Sequence, residues 1–150
     1  MTRRDQIIIR LEQVLTGITK AGGYNTDAGL SVHRELQYTE HPDVMPSIAW
    51  FGGECVSGND GDVPPSMGEE NHLWAISIEG FIPDDLNGAA GESLRTDIVR
   101  AIRSDYTLAG LCEPIENIRS SVAVSAGDDI FSTVQVGMTI FYVTAYGAAE

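Results

Sequence analysis

The fold is decided by residues 73 to 105. They run Leu73-Trp74-Ala75-Ile76-Ser77-Ile78-Glu79-Gly80-Phe81-Ile82, then Pro83-Asp84-Asp85-Leu86-Asn87-Gly88. Then comes Ala89-Ala90-Gly91-Glu92-Ser93-Leu94-Arg95-Thr96-Asp97-Ile98-Val99-Arg100-Ala101-Ile102-Arg103-Ser104-Asp105. In the first part Trp74, Ile76, Ile78 and Gly80 share one face and Leu73, Ala75, Ser77, Glu79 and Phe81 the other. That two-residue period is a strand. In the last part Ala90, Leu94, Ile98 and Ile102 recur every four residues, one apolar stripe of a helix. A short polar loop joins the two, so the stripe can be buried on the sheet.

Outward toward the N-terminus, residues 3 to 21 read as a helix. Ile7, Leu11, Val14 or Leu15, and Ile18 follow the helical period, and Ile8 broadens the stripe. Thr2 with Asp5 has the spacing of a capping box, and Gly22-Gly23 is expected to stop the helix. Leu30 to Leu36 reads as a short strand, 37 to 46 as an irregular connection, and Ser47 to Val56 as a strand. Gly52-Gly53 within it predicts a bulge or a close backbone approach. Ser57 to Asn71 is polar, acidic and rich in Gly and Pro, and reads as a long hairpin loop.

Outward toward the C-terminus, Leu108 and Leu111 are placed to tuck the chain onto the core. Ile118 to Ser125 reads as a strand, Ala126 to Asp129 as a turn, and Ile130 to Tyr146 as a long strand with strict alternation. These two should pair as an antiparallel hairpin. The expected fold is α+β, with a mainly antiparallel sheet and two helices packed on one face of a single domain spanning 1–150.

Composition bounds the function. The chain has 150 residues, 43% hydrophobic and 21% charged, which suits a globular domain with a real core. Its 22 acidic and 9 basic side chains give a formal charge of -13, against wrapping nucleic acid, which needs a basic footprint. One cation is a lysine, Lys20; the other eight are arginines, which favour specific bidentate pairing. No apolar run is long enough to span a bilayer and no signal peptide is read, which points to a protein made and used, or assembled, in a cytoplasm. Cys55 and Cys112 read as two reduced thiols.

The search for chemistry finds no catalytic set, no metal set and no cofactor motif. His33, His41 and His72 are scattered and read as surface histidines. Asn59-Asp60-Gly61-Asp62 lacks the order of a calcium loop, because Pro64 and Pro65 interrupt it. Gly88-Ala89-Ala90-Gly91 lacks the lysine of a phosphate loop; Asn87 as cap and Glu92 as dipole partner explain it better. Asp84 and Asp85 read as solvated loop acids. Arg95 with Glu92 and Arg100 with Asp97 have the spacing of surface ion pairs, or the arginines reach across a subunit boundary.

The layout resembles the tail terminator family of long-tailed bacteriophages, also called tail completion or minor tail protein U-like proteins. The resemblance covers nearly the whole chain and rests on order and loose motifs. These are a first helix ending in Gly22-Gly23-Tyr24, a strand after Pro46-Ser47-Ile48, and the segment Leu73 to Gly80 leading to the helix Ala90 to Asp105. Then come Tyr106-Thr107-Leu108-Ala109-Gly110-Leu111 and a closing strand through Phe141-Tyr142-Val143-Thr144. None of these motifs is catalytic. The resemblance implies a non-enzymatic subunit of a hexameric ring that caps the tail tube, ends its polymerisation and forms the junction to the head. It implies as partners further copies of the chain, the tail tube protein and the head-tail connector protein. It places the chain in the virion, at the head-proximal end of the tail, with DNA passing through the lumen without specific binding. Candidate contacts with tube or neighbouring subunit are Asp60, Asp62, Glu69 and Glu70 of the long loop and Arg100 and Arg103 of the helix. The competing readings are a related neck or head-completion protein and a monomeric binding module.

Overall fold

The computed structural model describes residues 1–34, 42–58 and 68–145. Helix α1 spans Arg3–Thr16, strand β1 Val32–Arg34, β2 Ser47–Ser57, β3 Glu69–Pro83, helix α2 Ala89–Ser104, β4 Arg119–Ala126 and β5 Ile130–Ala145. The sheet order is β1-β2-β3-β5-β4. Only the β1–β2 pair is parallel; β2–β3, β3–β5 and β5–β4 are antiparallel. The fold is the expected α+β arrangement.

The period-two pattern of β3 is realised as read. Trp74, Ile76 and Ile78 are buried, as are Val134, Val136, Met138, Ile140 and Tyr142 of β5 on the same face. The helices bury that face with Ile7, Leu11, Leu15, Leu94, Ile98 and Ile102, all 0% exposed. Each such side chain contributes roughly 1.5–3 kcal/mol by leaving water. Leu108 is also fully buried and Leu111 packs against the core, as their spacing predicted.

Two glycines set how closely the layers approach. A Cβ on Gly52 would meet the Trp74 indole at 2.3 Å, so the bare backbone of β2 is what leaves room for that ring. The register also shifts between Gly52 and Cys55, so the Gly pair marks both a close approach and a bulge. A Cβ on Gly91 would meet Ser132 at 2.6 Å and Val122 at 2.7 Å, where α2 starts against β4 and β5.

Several boundaries differ from the sequence expectation. Helix α1 has its capping box, with Thr2 N–H donating to the Asp5 carboxylate at 3.0 Å and Asp5 N–H to the Thr2 hydroxyl at 3.1 Å. It ends at Gly17, not at Gly22-Gly23. The reason is tertiary: the Asp97 carboxylate, fully buried in α2, accepts from Asn25 N–H at 3.0 Å and from Thr26 N–H and hydroxyl at 2.8 Å. Asp27 accepts from Lys20 N–H at 2.8 Å. These bonds fold 17–27 back over α2 and outweigh continuing the helix. The strand expected at 30–36 is β1, with a 3-10 turn over Ala28–Leu30 before it; residues 35 and 36 lie outside the described residues.

Candidate functional site

One face of the sheet is buried by the two helices. Among the described residues no helix lies on the other, though Ala49 and Phe81 on it are buried. Its central rows cross the sheet in register: Phe51, Ser77, Gly137 and Arg119 form one, and Ala49, Glu79, Gln135 and Ser121 the next. The floor is small and the rim is larger. Two open depressions of about 420 and 460 Å³ lie side by side there and share Ser77, Arg119 and Gly137. Phe51 borders the first, Leu73 and Phe141 the second.

The ends of this sheet are held by polar contacts. At one end His72 is 0% exposed and stacks on Tyr142, with ring centroids 4.7 Å apart. Its Nδ1 lies 2.7 Å from the Ser57 hydroxyl and its Nε2 2.7 Å from the Thr144 hydroxyl. The bonds join β2, β3 and β5. Reading His72 as a surface residue was therefore wrong. The signal was available, because His72 is in phase with Trp74, Ile76 and Ile78. His33 is exposed, and His41 lies outside the described residues.

At the other end Asp84 is the cap of α2. Its carboxylate accepts from Gly91 N–H at 2.7 Å, Ala90 N–H at 3.2 Å, Asp85 N–H at 2.8 Å and the Ser132 hydroxyl at 2.6 Å. Partial desolvation pushes its pKa up, but the four hydrogen bonds outweigh it and hold the group below its ordinary value of 3.8. This corrects two expectations. Asp84 is not a free loop acid, and Asn87 is not the main cap: its side chain accepts only from Ala89 N–H, at 2.9 Å. The N-cap position is Gly88, in a left-handed conformation with no side chain to offer.

Among the described residues, the candidate contacts fall on two separate elements, β3 and α2. Asp60 and Asp62 lie outside the described residues. Glu69 and Glu70 are the first residues of β3 rather than loop residues, Glu69 exposed and Glu70 half-buried. Arg100 does not pair with Asp97, whose carboxylate faces inward. Its Nη1 donates to the Gly23 carbonyl at 2.9 Å and its guanidinium sits 4.7 Å from the Tyr24 ring centroid. Arg103 is exposed and is the basic residue in the last turn of α2. Arg95 does pair with Glu92, at 2.8 Å. Both cysteines are free thiols. Burial, with Asp105 and Glu113 nearby, raises the Cys112 pKa to about 11. Among the described residues, no three His, Cys, Asp or Glu side chains are grouped to hold a metal. No described helix is long and apolar enough to cross a membrane.

The sequence matches no family model and no curated protein. The fold does have counterparts among solved structures. One aligns over 99% of this chain and 99% of its own, with a TM-score of 0.56 and 14% sequence identity. At that identity the likeness shows the fold alone.

Proposed function

We propose that this chain is a tail terminator, a structural subunit that assembles as a hexameric ring on a bacteriophage tail tube. The ring ends polymerisation of the tube protein and presents its other side to the head-tail connector. The observation that carries the reading is the one-sided layering. Two helices cover one sheet face, and the opposite face of the long β3 and β5 strands is open over Ala75, Ser77, Gly137 and Thr139. A ring subunit needs such a face for its neighbours or for the tube. The charge of -13 supports the same reading, since an acidic lumen repels phosphates and lets DNA slide. Glu69 and Glu70 at the base of the long hairpin loop, and Arg103 on α2, are the contact residues within this proposal.

The test is electron microscopy of tail tubes polymerising with and without the protein. Tubes are expected to stop at a uniform length with a ring at one end. Tubes that lengthen unchecked with bare ends would overturn the reading. Deleting residues 58 to 68 should leave the fold intact and abolish capping; unimpaired capping would remove that loop from the contact.

A further inference from the structure

Strand β4 is the exposed edge of the sheet, and it lacks the devices that normally blunt an edge. It is eight residues long and pairs with β5 in unbroken register from Arg119↔Gly137 to Ala126↔Ile130. It contains no proline, and its one charge, Arg119, stands at its first position. Every residue except Val122 is exposed, and among the described residues nothing pairs with its outer edge. At the opposite edge, the described part of β1 has three residues, one of them Arg34.

The sequence of β4 is self-complementary. Ser121-Val122-Ala123-Val124-Ser125 reads the same in both directions. Antiparallel pairing with an identical strand, centred on Ala123, sets Ser121 against Ser125 and Val122 against Val124. Residues directly opposite share a face. The valines fall on the α2 side, where Val122 already packs against the core. The serines fall on the open side. Arg119 then lies at the end of the paired strands, beside the turn of the other copy that carries Asp128. Arg119 and Asp128 are both exposed, and no described residue forms an ion pair with either. An exposed cation beside an exposed carboxylate of the other copy favours this association.

We propose that the free protein dimerises by antiparallel β4–β4 pairing across a two-fold axis, joining two five-stranded sheets into one of ten strands. The occupant of this edge is a second copy of the chain. The proposal stands apart from the ring reading, because an isologous two-fold contact cannot by itself close a head-to-tail ring. It describes the subunit before it meets a tube.

Light scattering on the full chain over a range of concentrations tests it. The wild type is expected to reach twice its 16.2 kDa mass. The double variant Ser121→Lys with Ser125→Lys sets lysine opposite lysine in every pair and should halve that mass. Both positions are exposed on the open face, and circular dichroism checks that the fold is kept. Mixing it with the Ser121→Glu, Ser125→Glu variant should restore the doubled mass. A wild type that stays monomeric at all concentrations overturns the proposal. So does a dimer, or a hexamer, whose mass the lysine pair leaves unchanged; a hexamer would leave the ring reading standing. If the lysine variant does not fold, Arg119→Glu serves instead: it sets a glutamate beside the acidic turn of the other copy and should lower the dimer fraction. An unchanged fraction overturns the pairing.

Discussion

Asp97 is a carboxylate taken wholly out of water, and three donors from residues 25 and 26 make that tolerable. Removing it leaves the buried Thr26 N–H and hydroxyl, and the more exposed Asn25 N–H, without their acceptor. Asp97→Ala should therefore destabilise by about 3 kcal/mol, whereas Thr26→Val, which removes one bond of the three, should cost about 1 kcal/mol. Urea denaturation measures both. Asp84 makes a prediction of a different kind. Its folded-state pKa lies below its ordinary value of 3.8, so its contribution is fully present above that value. It is lost as pH falls through the lower, folded value. Asp84→Asn should lower stability at neutral pH, where the carboxylate's contribution is full, and flatten the acid limb of the stability curve below about pH 4. The thiols differ in the same spirit. With its pKa raised to about 11, Cys112 stays a buried neutral thiol, while Cys55 is half-buried. Iodoacetamide at about pH 8 should label Cys55 first in the native protein, read by peptide mass mapping. Faster labelling of Cys112 would contradict its burial.

At the scale of elements, α2 carries a glycine in its first turn where helix propensity alone favours alanine. Gly91→Ala gains about 1 kcal/mol of propensity. The added methyl falls 2.6 Å from Ser132 and 2.7 Å from Val122, and overpacking costs about 1–3 kcal/mol. Packing wins, and a net loss of about 1 kcal/mol in thermal unfolding is expected. The same contest explains what could be read from the sequence. The strands and α2 were legible because their side chains alternate or stripe with the period of the element that buries them. The end of α1 was not, because it is set by Asp97, some 80 residues further along the chain. The cap of α2 was misassigned for a related reason. Asn87 stands at the usual spacing, but Asp84 reaches more donors because Ser132 and the first turn of α2 converge on it. Interior polar residues carry no period of their own, so His72 was legible only through its phase with the tryptophan and isoleucines beside it. Of the candidate contacts, Asp60 and Asp62 lie outside the described residues and Glu69 and Glu70 open β3 instead of closing the loop, while the palindrome in β4 gained meaning only once that strand was placed at an edge.

For the whole molecule, 22 acids against 9 bases mean net repulsion in the compact state. Raising salt from about 0.01 to 0.15 M shortens the screening length from roughly 30 to 8 Å. Stability should rise by about 1 kcal/mol, or roughly 2–4 °C in Tm. A fall in Tm would mean that the ion pairs Arg10–Asp105 and Arg95–Glu92 outweigh the repulsion.

The His72 contacts have a consequence for direction. Hydrophobic packing holds strands together but tolerates small rotations; a hydrogen bond does not. The imidazole ties Ser57, on one side of the long connection, to Thr144 on the neighbouring strand, and Gly58 N–H donates to the Asn71 carbonyl at 2.9 Å across the base. The hairpin loop thus starts from a base whose bearing is fixed. The two strand ends that flank the connection are held at a set spacing by the sheet itself.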